Sequence, residues 1–170
     1  MEVVCNASPL ISLSKLGRVD ILHIVFDKIL VPEEVWQEVV IRGKQDFPTE
    51  ASRVEDACAQ GWLRCMSCDL PTTSRTGMYP ELDRGEAEVI LLAKQQNVST
   101  VLIDDAAGRK VAESLGLKVR GTLFILAEAC RRRKISTSDA EDILNRLVHA
   151  GFRLGPEVYA ESLREIRLLR

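Results

Sequence analysis

No apolar run in this sequence approaches the ~18 residues that a membrane helix needs, so no membrane-spanning helix is expected. Aromatic residues are scarce at 5% of 170, and histidine occurs only as His23 and His149, which leaves no His pair for a zinc site. The five cysteines are an odd number, and Met1–Cys5 lacks the basic and apolar regions of a secretory leader. A disulfide framework is therefore not expected, and a cytoplasmic protein is. Net charge is only −2, so no global basic field marks a nucleic-acid binder, although a local patch is compatible with it. G-x-x-x-x-G-K-[ST], G-x-G-x-x-G and G-x-S-x-G are all missing, which removes the main sequence support for P-loop, Rossmann and α/β-hydrolase chemistry. What remains is ordinary globular material, with 46% hydrophobic and 28% charged residues, enough to bury a core.

Short β-branched runs alternate with helical patterns along the chain. Strands are expected at Val3–Cys5, Lys28–Val31, Trp62–Met66, Thr100–Ile103 and Lys118–Val119. Helices are expected after Asn6-Ala7-Ser8-Pro9, with Pro9 at the first helical position and an end at Gly17. Others should open at Pro32 and run over Pro48–Gln60, Leu82–Gln96, Ala106–Leu115, Thr122–Arg133, Ser138–Ala150 (behind a Ser138/Glu141 capping box) and Pro156–Leu169. Asp69–Pro80, with three Thr, one Ser, one Gly and two Pro, reads as a loop. The alternation implies right-handed βαβ units, an α/β class and a three-layer α/β/α architecture around a mainly parallel sheet. Residues 1–135 form the main domain in this reading, and 136–170 a C-terminal helical extension packed on it.

In such sheets, sites lie beyond the carboxyl ends of the strands, which directs attention to Asn6–Ser8 and to Asp104-Asp105. Two adjacent carboxylates want a cation or a shared proton, but one of them can equally cap the next helix. Glu86 and Glu88 fit the first-turn dipole role; at i and i+2 they cannot share a face, so at most one joins a site. Glu38 sits a turn further into its helix than Glu33 and Glu34, where the dipole role fades. Arg131-Arg132-Arg133-Lys134 is either a solvated helix end or a phosphate-contacting patch. Cys65-x-x-Cys68 lacks the partners that a zinc site requires and is a weak redox signal.

The order Asn6-Ala7-Ser8-Pro9-Leu10-Ile11, Glu38, Gly85-Glu86-Ala87-Glu88 and Leu102-Ile103-Asp104-Asp105 resembles the PIN-domain nuclease superfamily, and within it a branch related to VapC-type toxins. Asp105-Ala106-Ala107-Gly108-Arg109, Gly121-Thr122-Leu123 and Ala150-Gly151-Phe152-Arg153-Leu154 extend the resemblance over nearly the whole chain. The resemblance implies acids converging from distant segments on Mg²⁺ or Mn²⁺, with Asn6 in the place of the family's first Asp. Glu38, Glu86 and Asp105 would then be ligands, Glu88 and Asp104 the less favoured alternatives, and Glu38, Glu86, Asp104 and Asp105 the catalytic set. Ser8, Arg84, Arg109 and the Arg131, Arg132, Arg133, Lys134 run would hold RNA. The activity implied is that of a metal-dependent endoribonuclease, the toxin of a toxin–antitoxin pair acting as a homodimer. The alternative is a binding module that lost catalysis at Asn6. Phe47 with Trp62, or the C-terminal helices, could form the dimer surface.

Overall fold

The computed structural model describes residues 1–68 and 81–169. The loop expected at 69–80 lies outside them. Strands β1 (Glu2–Cys5), β2 (Lys28–Pro32), β3 (Leu63–Met66), β4 (Thr100–Leu102) and β5 (Lys118–Arg120) form one parallel sheet in the order β3-β2-β1-β4-β5. Val3, Val4, Cys5, Ile29, Val31, Val101 and Leu102 are fully buried, which is why these strands read as continuous apolar runs rather than alternating ones.

The chain steps from β1 to β2 to β3 in one direction, then crosses back to β4 and steps to β5 in the other. Right-handed crossovers place helices on both faces as a consequence. Helices α1 (Ala7–Lys15), α2 (Asp20–Val25) and α5 (Pro48–Ala59) cover one face, and α6 (Arg84–Gln95) and α7 (Ala106–Ser114) cover the other. Helix α8 (Thr122–Arg131) returns to the first face. Helices α9 (Thr137–His149) and α10 (Pro156–Leu168) stack on it, sending Ile143, Leu144, Leu147 and Ile166 into the common core. The result is the three-layer α/β/α arrangement around a parallel sheet. No helix among the described residues is long and apolar enough to cross a membrane.

Local differences from the sequence reading have physical causes. Helix α2 was not expected: it is only six residues long, too short for a helical period to register, and is held by buried Ile21, Leu22 and Val25. Helix α1 begins at Ala7, with Asn6 as its N-cap, so Pro9 sits third in the helix; its missing N–H is still one of those without an intrahelical acceptor. The helix opened by Pro32 is not uniform. It starts as α3 (Glu33–Trp36), widens into a π-helical turn (Gln37–Arg42) and ends as α4 (Gly43–Asp46). The capping box of α9 is Ser136 with Asp139, not Ser138 with Glu141. Both serines satisfy the motif, and the Ser136 start brings Ala140, Ile143, Leu144 and Leu147 onto one buried face. Trp62 is buried and stacks on His23 at 5.0 Å, whereas Phe47 is exposed.

Candidate active site at the switch point of the sheet

Strand order reverses between β1 and β4, and that is where a parallel sheet opens a crevice at its carboxyl edge. Asn6 leaves β1 there, its backbone N–H donating to Leu102 O at 2.9 Å, and Asp104-Asp105 follow β4 on the other side of the gap. Asn6 is buried and its Oδ1 accepts from Ala7 N (2.8 Å). A Cβ added at Gly85 would lie 3.5 Å from that oxygen, so only glycine-sized bulk separates Asn6 from the start of α6.

Helix α6 begins with a reciprocal cap that the sequence reading passed over, although Asp83-x-x-Glu86 carries its signature. Asp83 Oδ1 accepts from Glu86 N (2.7 Å), and Glu86 Oε2 accepts from Asp83 N (3.2 Å). The other oxygen of Glu86, Oε1, lies 2.5 Å from where a Gly108 Cβ would stand, against the first turn of α7. Asp105 caps that turn, its Oδ1 accepting from Ala107 N (2.8 Å) and Gly108 N (3.2 Å). Glu86 and Asp105 therefore meet. Burial, the charges of Asp83 and Asp105, and a hydrogen bond shared with Asp105 push the Glu86 carboxyl up to about 7, against the lowering effect of its bond to Asp83 N.

Gly108 is small for this reason. Gly108→Ala must displace the Glu86 carboxylate or the Ile103 side chain, whose Cγ2 is 3.0 Å from the new methyl. We expect a stability loss of about 1–3 kcal/mol by chemical denaturation, the range for overpacked sites, and weaker divalent-ion binding in the same protein.

The remaining predicted residues divide. Glu38 lies in the first turn of the π-helical segment, and the pKa of its carboxyl is raised by burial and by Asp83 and Glu34, with Arg42 opposing. Asp83 thus faces both Glu38 and Glu86, an acid not singled out from the sequence. Asp104 turns towards α8 instead: its two oxygens accept from Thr122 N and Thr122 Oγ1, both at 2.7 Å. Burial raises its pKa while those bonds and Arg109 lower it. Glu88 points away from Glu86, as their spacing requires; it is buried, accepts from Glu34 N (2.9 Å) and pairs with Arg84 Nε (3.1 Å). Arg84 also pairs with Glu34 (3.2 Å), so its charge is used within the fold.

Ser8 and Arg109 line an open groove of about 890 Å³ beside Asp104 and Asp105. Arg131 and Arg132 lie elsewhere. Helix α8 starts at the carboxyl edge and runs back, so the Arg131–Lys134 run ends near the amino edge, where Arg132 Nη1 donates to Val25 O (2.8 Å). Both arginines pair with Glu128, and Arg131 also with Glu165 (3.1 Å). The structure does not bring this run to the acids. Cys65 and Cys68 are free, and burial followed by the charges of Glu33 and Glu88 pushes both thiols up to about 11, the reverse of what a redox-active thiolate needs.

The donors at the switch point are hard oxygens, the class that divalent Mg²⁺ or Mn²⁺ prefers. Among the described residues no three Asp, Glu, His or Cys side chains converge to enclose an ion by themselves. Glu86 and Asp105 supply two carboxylates that meet, Asp83 faces Glu86, and the neutral amide oxygen of Asn6 lies near Asp83 across Gly85.

No curated protein and no solved structure matches the chain. A family model does: DUF3368, described as a PIN domain, matches residues 2–167. PIN domains have a nuclease-type fold and generally use divalent metal ions. With its whole sheet, its crossovers and its switch-point acids inside the matched range, this chain belongs to the PIN-domain family.

Proposed function

We propose that this protein is a metal-dependent endoribonuclease using Mg²⁺ or Mn²⁺, the toxin component of a toxin–antitoxin pair, acting as a homodimer in the cytoplasm. One observation carries the reading: the carboxyls of Glu86 and Asp105, from separate segments, meet at the switch point. Two such groups, held together against their own repulsion, either share a proton, as in the hydrogen bond between them, or take a cation in its place. Glu86, Asp105, Asn6 and Glu38 would hold the ion. A divalent ion held there would supply a bound water of lowered pKa and charge stabilisation at phosphorus. Ser8 and Arg109 hold RNA phosphates beside it. The toxin role draws on the likeness of the motifs to VapC-type toxins, and a small antitoxin-like reading frame beside this one would support it.

A second reading has its own observation. Asn6 stands where the family's first Asp is expected, and it is uncharged and cannot act as a base. On that ground the chain would be a PIN-like module that binds RNA or protein without turnover.

A calorimetric Mn²⁺ titration of the wild type beside Asn6→Asp separates the two. The nuclease reading expects saturable wild-type binding at or below roughly millimolar Kd, about 4 kcal/mol, and tighter binding in the Asp variant. Binding seen only in Asn6→Asp would instead establish that Asn6 has disarmed the site.

A further inference from the structure

Helix α3 has no cap of its own. Pro32 stands at its N-cap and offers no side-chain acceptor, yet the N–H groups of a first helical turn need one. Glu88, 54 residues on, supplies it, its Oε2 accepting from Glu34 N at 2.9 Å. The Glu88 side chain is only 3% exposed, and its other oxygen accepts from Arg84 Nε at 3.1 Å. Arg84 also reaches Glu34 (Nη1 to Oε2, 3.2 Å), and the second oxygen of Glu34 accepts from Arg42 Nη2 at 2.8 Å. Two carboxylates and two guanidiniums thus alternate in one chain, Glu88–Arg84–Glu34–Arg42, whose charges cancel.

The two ends of this chain sit on the segments that carry Glu86 and Glu38. Arg84 and Glu88 flank Glu86 at the start of α6. Glu34 precedes the π-helical turn and Arg42 closes it, so their pair spans the turn, with Glu38 four residues from each. Gly85 lets the two segments approach closely, since a Cβ there would lie 3.4 Å from Val35 Cγ2. A buried ion pair adds little stability over apolar residues of similar volume, and its best-attested use is to fix register. A π-helical turn is rare and frequently lies at a functional site.

We propose that Arg84 and Glu88 are positioning residues: with Glu34 and Arg42 they brace the π-helical turn against the start of α6, and so set where Glu38 stands relative to Asp83 and Glu86. The use of this brace rests on the nuclease reading above, in which Glu38 is one of the groups that would hold the ion. Arg84 and Glu88 act through Glu38 and not on the ion. The geometry also separates the two arginines. Arg84 uses Nε and Nη1 on two different carboxylates, a fork that lysine lacks, whereas the single contact of Arg42 can be reproduced by an ammonium.

Two measurements on the full chain test the brace. In metal-free protein, hydrogen exchange of the Gln37–Arg42 amides should speed up by about tenfold in Arg84→Lys and Arg42→Gln, with α9 unchanged, the pattern of a local opening. Arg42→Lys should restore wild-type exchange. In a calorimetric Mn²⁺ titration, Glu88→Gln and Arg84→Lys should each weaken binding by about 10–100-fold, the range for groups that orient a metal ligand. In a Glu38→Gln background the same changes should cost less than about twofold, because the side chain they position is gone. Arg167→Gln breaks an exposed pair with Glu141 and should leave both readouts within about twofold of wild type. Glu88 is buried and its variant can lose the fold; Arg84 and Arg42 are exposed, so their variants carry the test without it.

Unchanged exchange of the turn in Arg84→Lys, acceleration shared equally by α9, or the same loss of Mn²⁺ affinity with and without Glu38 would each overturn the proposal. The nuclease reading fails separately. A wild type without saturable Mn²⁺ binding, whose turn still exchanges selectively faster in Arg84→Lys, upholds the brace and removes the nuclease. Mn²⁺-dependent cleavage with a turn indifferent to Arg84 does the reverse.

Discussion

Asp105→Asn should lower Mn²⁺-dependent RNA cleavage by about 10²–10³ while leaving the fold nearly untouched. The two effects separate because Asp105 has two jobs. As N-cap of α7 it accepts from Ala107 N and Gly108 N, and an asparagine oxygen accepts those bonds equally well. Asn and Asp rank together as caps, so stability should change by no more than about 0.5 kcal/mol. The charge is another matter. If Asp105 holds the metal ion, as proposed, removing its carboxylate costs orders of magnitude in rate, and the amide cannot replace it. Asp104→Asn is the comparison: its oxygens are occupied by Thr122, so it should retain most of the activity. Cleavage at wild-type rate in Asp105→Asn, or cleavage that persists in EDTA, would remove the catalytic reading.

The metal-free protein should lose stability as pH rises from about 4.5 to 8, and Glu86→Gln should flatten that slope. The Glu86 carboxyl is pushed up to about 7 in the fold, first by burial, and returns to about 4.3 when unfolded. Between those values the folded chain holds more protons than the unfolded one, so stability falls with rising pH. It is fully present below the unfolded value and lost as pH passes the folded one. Taken whole, the shift converts to about 4 kcal/mol; solvent at the rim of the crevice reduces this to about 1–2 kcal/mol. Gln keeps the bond to Asp83 N and cannot ionise, so urea midpoints measured across this range isolate the effect. Mn²⁺ affinity should climb through the same window, because the ion needs the ionised form. An unchanged slope in Glu86→Gln would mean that another group titrates.

These two carboxyls differ in how far the sequence alone exposed them. Glu86 could be separated from Glu88 only as an either-or, since i and i+2 fall on different faces; which one enters the crevice depends on how α6 is rotated over β1 and β2. The structure sets that rotation by burying Glu88 under Glu34 N and Arg84. Asp104 and Asp105 were likewise an adjacent pair with one cap between them. The choice was made by Thr122, 18 residues on, whose N–H and hydroxyl take Asp104 away. The basic run Arg131–Lys134 looked like a patch in one dimension, but its partners Glu128 and Glu165 and its position at the amino edge exist only in the folded chain.

By itself, the sequence determined the layers. Buried parallel strands must be apolar on both faces, helices must show a period, and glycines must close them, as Gly17 (φ 69°) and Gly116 (φ 80°) do after α1 and α7. Those are local requirements, written at each residue. Tertiary structure alone decided which acids meet, that the Pro32 helix widens into a π-helical turn at Glu38, and that Arg120, Phe124 and Phe152 share a groove. These outcomes depend on side chains far apart in the chain competing for the same partners at the carboxyl edge of the sheet, and no local pattern records that competition.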